Sequence, residues 1–405
     1  MSTLNVDKVD PSTGTDLELG TSGDTITVPS GATLVVAGTT EITGTNNVQR
    51  PNAQPLIING DMAVAQRSTS VASISSGSGY YTVDRWNDYI GTAGTWTSSQ
   101  EALTADEAYE DGFGTALKWD CTTANGSLSA GSYFMVEQKI EAQDLQLLKF
   151  GSSTSETLTL GFWVKATKTG TNVVRCYAPD SNRSCSQAYT VSSTDTWEFK
   201  VLNFPADTTG VIDNDNGDGL RITWGLAAGT NFTSGTLATT WATNANANDF
   251  VGQVNNADST SNNFHITGVQ LEVGTYTSST LPPFQHESYG DNLARCQRYY
   301  TKIAEGASQP IHIGYVYNST QASATILLPN PMRETPSIDQ ESGTSYYRFQ
   351  ADATNYAFDS FTFDYGTGNQ VVAIRTTSIS GLTGAQTGCF QATDASSYFA
   401  FDSEL

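Results

Sequence analysis

Short runs of alternating apolar and polar residues, broken by Gly, Ser, Thr, Asn and Pro, fill most of this chain. Alternation with period two is the mark of a half-buried β-strand. Between residues 51 and 288 the runs are long and rich in aromatics: PLIING, YYTVDRW, GTWTSSQ, TALKWDC, SYFMVEQKI, LTLGFWVKA, NVVRCYA, WEFKVLNF, GLRITWGLA and FHITGVQLEV. Strands at that spacing predict a two-sheet sandwich. EAQDLQLLKFG, from Glu141, predicts a single helical turn within one connection. TLPPFQHE closes the stretch, because Pro282 and Pro283 cannot continue a sheet ladder.

The period then changes. In HESYGDNLARCQRYY, Ser288 and Asp291 have the spacing of a helix N-cap and its partner carboxylate. Leu293, Cys296 and Tyr300 recur at helical spacing, and Arg295 and Arg298 sit at the end that favours positive charge. One short helix, its apolar side packed inward, is predicted to join two β-domains. Beyond it, residues 301–405 read as strands again: IHIGYVYN, ASATILLPN, SYYRFQA, SFTFDYG, QVVAIRTTS and YFAFDSEL. Phe361, Phe363 and Tyr365 alternate, which predicts one aromatic face.

The first 50 residues differ from both. TDLELG, GDTITVPSG, GATLVVAG and TTEITG are short Gly-bounded strands with few large apolar residues. One copy offers too little core to offset its chain entropy, so three copies wound together are expected to form a narrow stalk. The domains expected are therefore 1–50, 51–288 and 289–405, in an all-β homotrimer.

Composition sharpens this reading. The 405 residues carry 41 acids against 19 bases, a net charge of −22. Nucleic-acid binding requires a basic face to replace phosphate counterions, so no nucleic-acid partner is expected. No run is long enough to span a bilayer as a helix, and membrane insertion is not expected. The five cysteines (121, 176, 185, 296 and 389) are odd in number and contain no CxxC, which argues for free thiols over a disulfide framework. Cys176 and Cys185 flank the turn-like PDSNR and are expected to face each other across a hairpin. The opening MSTLNVDKVD lacks a basic n-region and an apolar h-region, so folding in a cytoplasm is expected.

NGDMAVAQR, YYTVDRW, LTLGFWVKA, DNDNGDGL, ITGVQLEVG and PFQHESYGDNLARCQRYY, taken together, resemble bacteriophage tail fibre and receptor-binding proteins. VDKVDPSTGTDLELG and TITVPSGATLVV resemble the virion-attached ends of such fibres. Residues 301–405 match more loosely, through LPNPMRETPSI and FDSEL. The resemblance implies a jelly roll like a carbohydrate-binding module, a linking helix and a distal β-domain. It also implies a virion location, an N-terminal contact with other tail proteins, and multivalent attachment to a bacterial surface polysaccharide. A head decoration or fibre-adaptor protein, a glycan depolymerase tailspike and a cellular carbohydrate-binding module are the competing readings.

Sugar binding needs aromatic faces beside hydrogen-bonding groups. Tyr80, Tyr89, Trp96 and Trp241 lie near turns and polar neighbours, and Tyr346, Tyr347 and Tyr356 lie among small polar residues of the distal domain; these are the expected glycan contacts. Trp86, Trp119, Trp163 and Trp224 sit on strongly apolar strands and are expected in the core. Asp213, Asp215 and Asp218 in DNDNGDG have oxygen ligands suited to calcium, although the EF-hand frame fails at Gly225; a solvated turn is the competing reading. Catalytic motifs are absent: no GxSxG, HExxH or P-loop occurs, and the chain is expected to be non-enzymatic. Asp84 and Arg85 are expected to form a structural ion pair.

Overall fold

The computed structural model describes residues 54–405; the predicted stalk over 1–50 lies outside them. The first body of structure is an eleven-stranded antiparallel sheet. Its strands are β1 (Ser70–Gly79), β2 (Asn87–Ala102), β3 (Thr115–Thr123), β4 (Tyr133–Glu141), β5 (Leu158–Ala166), β6 (Gly170–Ala178), β7 (Arg183–Val191), β8 (Glu198–Phe204), β9 (Asp218–Ala228), β10 (Ala242–Thr243) and β11 (Asn263–Val273). They are ordered β10-β7-β6-β9-β4-β2-β3-β11-β5-β8, with β1 added to β2.

The long strand β2 makes this one sheet into a sandwich. Residues 87–91 pair with β4 and residues 95–102 pair with β3, with an irregular register between. Gly94 lies there at φ +83°, where its missing Cβ avoids the Thr123 carbonyl. The sheet thus curls so that its two halves face each other. Phe162 of β5 meets Trp224 of β9 edge-on at 5.6 Å across the filling. Trp86, Trp96, Trp119 and Phe134 complete a buried aromatic core. This is the curled, jelly-roll-like arrangement expected of the fold class.

Local pattern was a good guide where strands alternate, and failed where they do not. PLIING and YYTVDRW form bends and turns instead of strands. β1, a Ser/Gly-rich run with weak strand propensity, was not anticipated; it is held by its pairing with β2. The turn after Glu141 is a 3-10 helix, Ala142–Leu148. Cys176 and Cys185 are direct cross-strand neighbours on β6 and β7, and all five cysteines are free thiols, four of them buried.

The linking helix runs from Tyr289 to Gln297 with Ser288 as N-cap, accepting from the Asp291 amide at 3.2 Å. Cys296 is buried and Leu293 partly so, against Ile58, Val64 and Tyr299. Tyr300 is buried but lies beyond the helix, its ring 3.6 Å from the Arg67 guanidinium. Then follow β12 (Tyr300–Glu305), β13 (Pro310–Asn318), β14 (Gln321–Leu327), β15 (Ser337–Gln340), β16 (Tyr347–Ala351), β17 (Thr354–Phe358), β18 (Phe361–Phe363), β19 (Val371–Thr376), β20 (Thr387–Ala392) and β21 (Tyr398–Asp402). A seven-stranded sheet, β17-β16-β20-β13-β14-β19-β18, packs on a three-stranded one, β12-β21-β15. Phe361 and Phe399 meet between them at 4.6 Å. The predicted aromatic face is shorter than expected: β18 ends at Phe363, and Tyr365 is 94% exposed in the following turn.

A second core of residues 304–401 is thus separate from the sandwich core, and a polar seam joins them. The expected Asp84–Arg85 pair does not form. Arg85, fully buried at φ +73°, pairs with Glu404, donates to the Lys139 carbonyl at 2.6 Å and lies 3.4 Å over the Tyr299 ring. Asp84 instead accepts from the Gln66 side chain and amide. Arg67 reaches Asp402 at 2.8 Å, and Arg298 grips Glu141 through two bonds of 2.6 and 2.7 Å.

Candidate functional site

β5 sends Leu158, Leu160, Phe162, Val164 and Ala166 into the core, and strict alternation therefore sends Trp163 to the opposite face. There it stands beside its cross-strand partner Phe199 of β8, ring centroids 5.4 Å apart. Two connections wall this outer face. One is residues 103–113, where Leu103, Ala108, Phe113 and Trp197 form a small cluster. Asp106 fixes it by accepting from the Trp197 indole at 2.7 Å and the Tyr109 amide at 3.0 Å. The other is residues 277–287, whose two prolines prevent it from pairing with the sheet.

The walls meet through aromatic rings. Phe113 contacts Phe284 at 4.9 Å and His286 at 5.2 Å. A bulge in β11 brings Gly268 beneath Phe113 at φ +60°, and a Cβ there would fall 2.6 Å from the ring. Any side chain at 268 would therefore displace the wall. Between the walls lies an open cleft of about 390 Å³, with Trp163, Phe199, Leu281, Pro282 and Pro283 as apolar surface and Asp111, Gln270, Ser278 and His286 as polar groups. Gln270 is 94% buried by its 6% exposure; its amide nitrogen donates to the Pro282 carbonyl at 3.2 Å while its Oε1 has no protein partner. Apolar rings with a few convergent polar groups, in a cleft of this size, suit a small polar-rimmed ligand such as a sugar.

None of the expected glycan contacts lines this cleft. Trp96 is wholly buried against Phe134 and donates to the Ala93 carbonyl, and Trp241 is buried against Phe150 with its indole on the Pro205 carbonyl. Both readings used polar neighbours as a sign of exposure. For Trp96, on β2, the strand neighbours of an inward residue point outward, so their polarity is what an inward Trp predicts; Trp241 lies in the loop before β10, and its ring turns inward onto Phe150. Tyr80 is half-buried, with its hydroxyl 3.3 Å from the Leu405 carbonyl and its pKa pushed up by burial. Tyr89 is exposed and stacks on Tyr133 at 4.6 Å. In the distal domain Tyr347 is fully buried, sharing its hydroxyl between the Glu341 and Tyr398 carbonyls, while Tyr346 and Tyr356 pack partly against the second core. Trp163 is the reverse correction: expected in the core, it is half-exposed on the cleft. Its register against Leu160 and Phe162 carried the signal, whereas the apolarity of the strand obscured it.

The DNDNGDG loop acts as a structural connector. Asp215 accepts from the Gly217 amide at 2.8 Å, Asp218 pairs with Arg221 at 2.5 Å, and the Asp213 amide donates to Asp180. Asn216 and Arg333 exchange bonds of 2.8 and 3.1 Å with each other's carbonyls. The Asp215 and Asp218 carboxylates thus serve different partners, and among the described residues no cluster of three His, Cys, Asp or Glu could hold a metal ion. Adding a chelator is expected to shift the melting temperature by less than about 1 °C; a larger fall would restore calcium to this loop.

No protein-family model matches the chain, and no curated protein matches it. Solved structures similar to it include the enzymatically active domain of tailspike protein 4 of bacteriophage CBA120, at 13% identity and a TM-score of 0.27, covering 54% of this chain and 21% of the tailspike. The family 11 carbohydrate-binding module from Clostridium thermocellum, in complex with a β-1,3-1,4-mixed-linked tetrasaccharide, is 13% identical with a TM-score of 0.26, covering 52% of this chain and 99% of the module. The N-terminal cellulose-binding domain of Cellulomonas fimi β-1,4-glucanase C is 14% identical with a TM-score of 0.26, covering 56% of this chain and all of that domain. At these values the likeness assigns no activity.

Proposed function

We propose that this chain is a non-catalytic glycan-binding protein of a bacteriophage tail fibre, and that it holds sugar in the cleft of Trp163 and Phe199. The cleft carries the reading: paired rings offer flat apolar faces to sugar C–H groups, while Asp111, Gln270 and His286 offer hydrogen bonds to hydroxyls. Gln270 Oε1, unpartnered among protein atoms, gains an acceptor role if a small local shift admits a hydroxyl. Asp111 is the single carboxylate on the lining, whereas glycoside hydrolysis commonly uses an acid and a second carboxylate. Binding without cleavage fits that lining better. The attachment role follows the resemblance of the sequence to fibre proteins; weak single sites become effective when fibres present several together.

The test is calorimetric titration with polysaccharide from a candidate host surface, alongside an assay for new reducing ends. Trp163→Ala is expected to weaken binding at least tenfold, about 1.4 kcal/mol, with no reducing ends released by either protein. Trp96 and Trp241 are unsuitable probes because their loss would open core cavities. Unchanged affinity in Trp163→Ala would remove the cleft from the mechanism, and accumulating reducing ends would replace binding by depolymerisation.

A further inference from the structure

Among the described residues, five of the eleven exposed large apolar side chains fall on three adjacent strands of the seven-stranded sheet: Ile313, Tyr315 and Tyr317 on β13, Leu327 on β14 and Val371 on β19. Ile313 and Leu327 are 72% and 68% exposed. Leu327 and Val371 are direct cross-strand partners, as are Ile313 and Cys389 of β20, so these residues share the face turned away from the second core. β13 is the fourth of the seven strands, which puts the patch at the centre of the sheet. Exposed apolar patches of several hundred Å² on a folded protein mark interaction sites.

The same sheet is exceptional in charge. None of its seven strands contains Asp or Glu, and Arg348 and Arg375 are their Lys or Arg residues, in a chain of 41 acids and 19 bases. We propose that this outer face of β20-β13-β14-β19, whose strands carry no acid and onto which Asp364 reaches to accept from Ser323 at 2.9 Å, is where copies of this chain dock on one another. Two copies each carrying −22 repel wherever their acidic surfaces meet, and on this face few carboxylates oppose, Asp364 being held by Ser323 and Gln321. A basic partner would favour the acidic surfaces instead. A sugar could use the rings of Tyr315 and Tyr317 but gains little from Ile313, Leu327 and Val371, which provide neither a ring face nor a hydrogen bond. A second copy buries all of them. The face shares no residue with the cleft and requires no sugar to bind there.

Cys389 provides a local reporter, since it is half-buried on this face while the other four thiols are buried. Native full-length chain is labelled with a maleimide at increasing protein concentration, with mass followed by sedimentation. Cys389 labelling is expected to slow severalfold as mass rises above the monomer. The Ile313→Asp, Leu327→Asp double variant, altered only at exposed positions, is expected to label at the dilute rate throughout. Labelling that stays constant while mass rises places self-association elsewhere and overturns the proposal. A chain that stays monomeric, or a thiol protected only when polysaccharide or lipid vesicles are added, overturns it as well.

Discussion

Replacing Glu404 by alanine is expected to destabilise the protein by about 3–5 kcal/mol, the usual cost of stripping one partner from a buried ion pair. The Glu404 carboxylate, 6% exposed, lies between Arg85, which is fully buried, and Arg67, at 3.3 Å. Arg67 keeps Asp402, whereas Arg85 loses its one ionic partner among the described residues and is left with the Lys139 carbonyl and the Tyr299 ring. The loss therefore falls on Arg85, a charge sealed from water. Replacing both residues, Glu404→Ala with Arg85→Met, is expected to recover much of it, because an apolar pair needs no compensating charge. Urea denaturation of the two variants in low and high salt provides the measurement. A loss below about 1 kcal/mol that also shrinks with salt would show a solvated surface pair instead.

Asp88→Asn is expected to act in the opposite direction and to stabilise the protein at neutral pH. Asp88 points into the sandwich core at 2% exposure, accepts from the Trp119 indole at 2.8 Å and leaves Oδ2 without a partner. Burial pushes its carboxyl up from 3.8 to about 7, against the bond from Trp119. Below about pH 4 both folded and unfolded chains hold this proton, and the group has no effect on stability. As pH rises towards 7 the unfolded chain releases it while the folded chain keeps it, so stability falls; above about 7 the fall is complete. The full span corresponds to about 4 kcal/mol at most. Asp84, pushed up to about 6 mainly by burial, adds a fall of the same sign over a narrower range. Comparing wild type and variant at pH 4 and pH 8 isolates Asp88: no difference is expected at the lower pH and a stabilised variant at the higher. Equal differences at both values would exclude titration as the cause.

Much of the architecture is written locally. The alternation of LTLGFWVKA coincides with β5, and the Ser288–Asp291 spacing coincides with the helix cap. In each case the determining interactions lie within a few residues: a two-residue period turns side chains to opposite faces, and a hydroxyl accepts from an amide three places on. Strand pairing across the chain determined the rest. SVASISSGSG becomes β1 because β2 offers it a ladder, which its own propensities would not secure. Trp96 and Trp163 sit on equally plausible strands, yet one is sealed in the core and the other lines the cleft. Alternation separates the two faces of a strand, but only the curling of the sheet decides which face is roofed by other chain. The Arg85–Glu404 pair spans 319 residues and was invisible beside the nearer Asp84. Sequence neighbours share a strand's alternation, whereas contact partners are assigned by the fold, and burial makes the distant partner the decisive one.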